Sequence, residues 1–129
     1  MKITFLGTGT STGVPEIGCK CEVCTSADPR DSRLRCSALV EEGDTTILID
    51  CGPDFREQML RADVKKIDAL LMTHKHYDHI VGIDDLRPFT RDKELPIYAD
   101  RETEMQIRSF FPYCFGRVKY PGVANIAIR

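Results

Sequence analysis

Long apolar runs are missing from this 129-residue chain. The longest, Ala69 to Met72, falls far short of the ~20 apolar residues a membrane-spanning helix needs, so no membrane partner is expected. Charge of one sign is missing too. Lys and Arg number 18 against 20 Asp and Glu, a net charge of −2, so no basic field advertises nucleic acid or an anionic membrane surface. There is no repeat, no low-complexity stretch and no linker, and one domain over residues 1–129 is expected. With 42% hydrophobic and 29% charged residues the chain is not compositionally disordered. The opening Met1-Lys2-Ile3-Thr4-Phe5-Leu6-Gly7 reads as a first strand rather than a secretory segment, which makes the cytoplasm the expected location.

What is present is unevenly distributed. Six cysteines lie at 19, 21, 24, 36, 51 and 114, three of them within Cys19-Lys20-Cys21-Glu22-Val23-Cys24. In a reducing compartment clustered cysteines more often hold metal than bridge one another. Cys36, Cys51 and Cys114 stand alone and are expected to be small buried apolar residues. A long stretch from Gly7 to Asp31, rich in Gly, Thr, Ser, Pro and Cys, shows little periodicity; a metal staple would explain how such a loop is held.

The periodic segments alternate between strand and helix patterns. Lys2 to Leu6 reads as a strand, and Ser37 to Glu41 and Thr45 to Ile49 as a hairpin turning at Glu42-Gly43-Asp44. Pro53 opens a helix that carries Phe55, Met59 and Leu60 through Arg61. The run Ile67 to Met72 suggests a strand buried on both faces. Pro96 to Ala99 is a further short strand, Arg101 to Phe111 a helix, and Val123 to Ile128 a last strand. The fold class is α/β.

All three histidines fall in one hexapeptide, His74-Lys75-His76-Tyr77-Asp78-His79, directly after a strand. In extended chain, residues i and i+2 share a face, so His74 and His76 can point at one metal. Asp78 and His79 can converge on a second as the backbone bends onward. Imidazole and carboxylate donors suit Zn, Mn or Fe, and two such ions can polarise a phosphoryl oxygen and deprotonate a water. Gly7-Thr8-Gly9-Thr10-Ser11-Thr12-Gly13 is not a dinucleotide loop, because its third glycine comes one position late and no helix follows. It reads either as backbone passing close to the metals and offering amides to a phosphate, or as a tight turn. A wall of the active site is the favoured reading.

Thr73-His74-Lys75-His76-Tyr77-Asp78-His79 resembles the HxHxDH signature of the metallo-β-lactamase superfamily. Thr46-Ile47-Leu48-Ile49-Asp50-Cys51-Gly52 resembles its earlier strand, ending in an aspartate and a glycine. Phe5 to Pro15 is similar to the opening of the ribonuclease Z-like and phosphodiesterase branches. Gly18 to Cys24 and Ile80 to Arg87 resemble the phosphoribosyl 1,2-cyclic phosphate phosphodiesterase branch of the carbon–phosphorus lyase pathway.

The resemblance implies half of a four-layer αββα sandwich with a mixed sheet. It also implies two divalent ions, Zn or Mn, with His74 and His76 on the first, and Asp78, also the catalytic carboxylate, and His79 on the second. Asp50 would orient the histidine loop by hydrogen bonds, or cap the following helix, or do both. Cys19, Cys21 and Cys24 would hold one structural zinc in an insert at about 18–25. The family fills the fourth position with a late histidine, for which Cys36 is a weak substitute here.

The implied activity is hydrolysis of a small (cyclic) phosphodiester by a metal-bound hydroxide. Two alternatives stand beside it: a ribonuclease Z-like nuclease, and a catalytically incomplete metal-binding or assembly module. The last arises because no histidine follows His79, and the later ligands of the family have no counterpart. The chain is therefore expected to be an N-terminal half with weak metal occupancy, exposing the inner face of its sheet and forming a homodimer through it.

Overall fold

The computed structural model describes residues 1–129. Six strands form one sheet in the order of the sequence: β1 Lys2–Gly7, β2 Ser37–Glu42, β3 Thr45–Ile49, β4 Ala69–Leu71, β5 Leu95–Tyr98 and β6 Ile126–Ile128. The first three are antiparallel. The hairpin between β2 and β3 turns at Gly43, whose φ of 54° lies in the left-handed region that such tight turns require. From β3 onward the pairs are parallel, and each needs a crossover. Helix α1 (Phe55–Arg61) joins β3 to β4. The four-residue α2 (Tyr77–Ile80) and a 3-10 segment over Val81–Phe89 join β4 to β5, and α3 (Arg101–Phe110) joins β5 to β6. Right-handed crossovers between strands that advance steadily in one direction put every helix on the same face.

That face is the core. The register aligns Leu39, Leu48, Leu70 and Ile97 across four strands, each buried, against Phe55, Met59, Ile80, Ile83, Leu86 and Ile107 from the crossovers. The other face is apolar and has no covering layer. Its aligned row runs Phe5, Ala38, Ile49, Leu71 and Tyr98, with Phe5 75% exposed and Tyr98 48% exposed.

Three sequence expectations are corrected here. The segment 67–72 is not buried on both faces: Leu70 is inaccessible, but Leu71 looks out from the uncovered face. Only Ile126–Ile128 of the last expected strand pairs, because β5 starts at Leu95, whose amide already bonds the Asn125 carbonyl. Cys36 is exposed rather than buried, while Cys51 and Cys114 are buried as expected.

Candidate metal centre

Strands β1, β3, β4 and β5 all deliver their carboxyl ends to one edge of the sheet, and the chemistry-bearing residues lie in the loops that leave it. Asp50 directly follows β3. It is 3% exposed and takes φ = 60°, a left-handed conformation that Asp tolerates better than most residues. Its amide bonds the Leu71 carbonyl at the end of β4. The Cys51 amide bonds the His79 carbonyl at 2.6 Å, and the Gly82 amide bonds the Cys51 carbonyl at 2.8 Å. The turn after β3 and the histidine loop after β4 are thus stitched together along their backbones. Glycine is required at two of these contacts. A Cβ on Gly52 would collide with the Asp78 carbonyl, and one on Gly82 with the Gly52 carbonyl.

Asp50 then aims the side chains. Oδ1 accepts the Thr73 amide at 2.8 Å; Oδ2 accepts the Thr73 hydroxyl and His79 Nδ1, each at 2.7 Å. A carboxylate only accepts, so His79 carries its proton on Nδ1 and leaves the Nε2 lone pair free. The Thr73 hydroxyl has given its one proton to Asp50, so it accepts from His74 Nδ1 at 2.9 Å. His74 therefore also presents an unprotonated Nε2. Asp50 does not cap the following helix; the carboxylate at that position is Asp54, whose oxygens bond Arg35 instead.

The expected ligands come together as two pairs. His74 Nε2 and His76 Nδ1 are 3.1 Å apart, and His79 Nε2 and Asp78 Oδ2 are 3.3 Å apart. Two donors on a tetrahedral ion, each at about 2.0–2.1 Å, stand about 3.3 Å apart, so both pairs have the span of ligands sharing one ion. The His74 and His79 rings lie 4.1 Å apart between centroids, which places the two pairs side by side. The donor set of imidazole and carboxylate fits a divalent transition metal. Lys75 and Tyr77 alternate outward, and Lys75 meets Glu102 on α3 at 2.7 Å.

Cys19, Cys21 and Cys24 also converge, with their sulfur atoms within 4.8 Å of one another; Cys36 is not among them. The backbone amide of Cys24 and the neighbouring Cys19 thiol hold the Cys21 thiol below its usual range. At Cys24 the Glu16 amide favours the thiolate, but desolvation and the other two sulfurs outweigh it and raise the thiol.

The glycines of the glycine-rich loop serve close backbone packing. Gly7 and Gly9 make a close approach to the backbone of residues 33–35 rather than to the histidines. Arg35 fastens the loop, donating from Nε to the Ser11 carbonyl at 2.8 Å and from Nη1 to Asp54 Oδ1 at 2.8 Å. Thr73 and Arg35 were given no role by the sequence reading. Thr73 could have been singled out by its place next to His74; for Arg35 there was no local signal.

The family described as the beta-lactamase superfamily domain matches residues 45–128. The chain belongs to the metallo-β-lactamase superfamily. Within that superfamily, a solved diphosphatase of the PhnP family is 45% identical, with a TM-score of 0.87 over 98% of this chain and 49% of its own. A Porphyromonas gingivalis protein named octanoyltransferase is 48% identical over 123 residues, 95% of this chain but 25% of that protein. A ribonuclease Z of Methanococcus maripaludis is 31% identical over 127 residues, 94% of this chain and 36% of the enzyme. The chain thus spans between a quarter and a half of the length of these relatives.

Proposed function

We propose that this chain supplies one half of the active site of a metal-dependent phosphodiesterase that acts on a small phosphodiester, cyclic ones included. The observation that carries the reading is the double pairing of ligand atoms, His74 with His76 and Asp78 with His79, each at the span of donors on one ion. The 45% identity to a diphosphatase of the PhnP family favours a phosphate ester or anhydride over other substrates of the superfamily. The activity is proposed for the complete fold, to which this chain corresponds by about half.

Bound divalent ions there would polarise a phosphoryl oxygen and lower the pKa of water. The chain's own part is positional. Asp50 and Thr73 fix the tautomers of His79 and His74, so both rings arrive with Nε2 available. Asp78 brings the negative charge that favours a cation at the second position, from the first turn of α2. Cys19, Cys21 and Cys24 are proposed as ligands of a structural zinc, and the uncovered sheet face as the seat of a second copy in a homodimer.

A ribonuclease Z-like activity is the second reading, favoured by 31% identity to that enzyme of M. maripaludis. The net charge of −2 argues for a small substrate over a polynucleotide. The test is hydrolysis of bis(4-nitrophenyl) phosphate, a cyclic nucleotide and a tRNA precursor by the full-length protein with Mn or Zn. Turnover of the small esters that is lost in His76→Ala supports the proposal. Cleavage of the precursor alone favours the nuclease, and no turnover of any substrate would overturn both.

A further inference from the structure

We propose a second ligand site at the opposite end of the parallel strands from the histidines, for a small organic anion with an apolar body. A cleft of about 810 Å3 opens between α1, the Val81–Phe89 segment and the turn at 122–125. Its size is that of a small-molecule pocket, which spans roughly 300–1,000 Å3. Val64 and Lys65 line it just before β4, and Val123 and Asn125 just before β6, so it sits at the amino edge of the sheet. The histidine loop leaves the carboxyl edge, and the two places share no side chain.

The floor is apolar. Phe55 and Phe89 meet edge to face with centroids 6.0 Å apart, and Met59, Val64 and Val123 complete it. Thr90, 3% exposed, fixes one wall, because its hydroxyl oxygen accepts the Asn125 amide at 3.1 Å. The rim is positive on a chain that is negative overall. Arg56, Lys65, Arg87 and Arg91 line the cleft against two carboxylates, Asp63 and Asp85. Asp63 pairs with Lys65 at 2.5 Å, and Asp85 stands 3.9 Å from Arg87, which Asp84 holds at 3.1 Å. Arg56 and Arg91 take part in none of the ion pairs or side-chain hydrogen bonds of the fold. Two unpartnered guanidinium groups over an aromatic floor suit a ligand with one anionic head, carboxylate or phosphate, on a ring or short branched body.

The test uses the full-length protein without added metal and follows its backbone amides by NMR during titration with phenyl phosphate, benzoate, inorganic phosphate and benzyl alcohol. The expected result is saturable shifts at Val64, Thr90 and Val123 with phenyl phosphate or benzoate, the tighter of the two naming the head group. Inorganic phosphate and benzyl alcohol should bind at least tenfold more weakly. The double variant Arg56→Gln/Arg91→Gln, at exposed positions, should lose at least tenfold in affinity while its melting temperature stays unchanged. The proposal is overturned by shifts confined to the uncovered sheet face at Ile3, Phe5 and Leu71. Equal binding of either half-ligand overturns it too, as does a double variant that binds like the parent. Because the cleft and the histidine loop are separate, failure here leaves the hydrolase reading standing.

Discussion

Replacing Asp50 by Asn should uncouple folding from metal binding in a measurable way. Asn is nearly isosteric and accepts the left-handed φ of 60°, so the backbone is not the target. The loss is at Oδ2, which receives both the Thr73 hydroxyl and His79 Nδ1 at 2.7 Å. An amide NH2 in that place donates, so His79 must move its proton from Nδ1 to Nε2 to accept it. The Nε2 lone pair that faces Asp78 Oδ2 at 3.3 Å is then gone. Hydrogen bonds to a buried charged group are worth about 1.5–3 kcal/mol, partly recovered here by the new donor, so the stability cost should be about 1–2 kcal/mol. Loss of such an orienting carboxylate lowers metal affinity by about 10–100-fold. Urea unfolding gives the first number, and titration of Zn or Mn against a competing chelator the second. With the cysteines replaced by serine the measurement reports on the histidine loop alone. An Asp50→Asn chain that binds metal as tightly as the parent would refute the tautomer argument, whatever its stability.

Other outcomes follow from the same structure. Burial alone would raise the Asp68 carboxyl, but Lys93, the Thr46 amide and Lys66 hold it down to about 2. A depressed carboxylate stabilises the fold above its unfolded pKa, and that contribution fades as pH falls from about 4 towards 2. Asp68→Asn should therefore cost about 1 kcal/mol at pH 7 in urea unfolding and clearly less near pH 2, where the carboxylate is half protonated; equal destabilisation at both would contradict the assignment. Gly82→Ala, whose Cβ meets the Gly52 carbonyl and Phe55, should cost about 2–3 kcal/mol; a cost under 0.5 kcal/mol would mean the stitched turn is not tight. Cys21→Ser should abolish zinc retention at the cysteine loop as read by native mass spectrometry, and Cys36→Ser should leave it intact. Phe5→Asp, on the uncovered face, should shift a sedimenting dimer to monomer; a monomeric parent at tens of micromolar would remove the dimer proposal.

The sequence exposed those parts of the fold that local periodicity specifies. The hairpin over 37–49 falls within a residue of its expected bounds and the helix ends at Arg61 as expected, though it starts at Phe55, two residues after Pro53, since alternation and a 3.6-residue stripe are properties of neighbours. The strand at 69–71 was misread because an apolar run cannot say whether its second face will be covered. Leu71 faces a side on which this chain packs nothing. Cys36 was misread for a related reason: a cysteine's burial depends on what crosses it, not on its flanks. At the site, the histidine hexapeptide carried its own chemistry; Asp50 as the group that orients it came from the family resemblance alone, and its partner Thr73 from neither. Asp50 reaches Thr73 and His79 across 23 and 29 residues, and the Arg35–Asp54 pair spans 19. The Asp50 contacts come from parallel pairing of β3 with β4, which no local pattern encodes, whereas the Arg35–Asp54 pair closes the open end of the β2–β3 hairpin.

The most direct test of the metal centre is anomalous X-ray diffraction from crystals of the chain soaked in millimolar zinc or manganese. One peak is predicted within about 2.0–2.2 Å of both His74 Nε2 and His76 Nδ1, and a second within the same range of Asp78 and His79 Nε2. A crystal in which the cysteine loop takes up metal while the histidine loop shows no density at saturation would contradict the account.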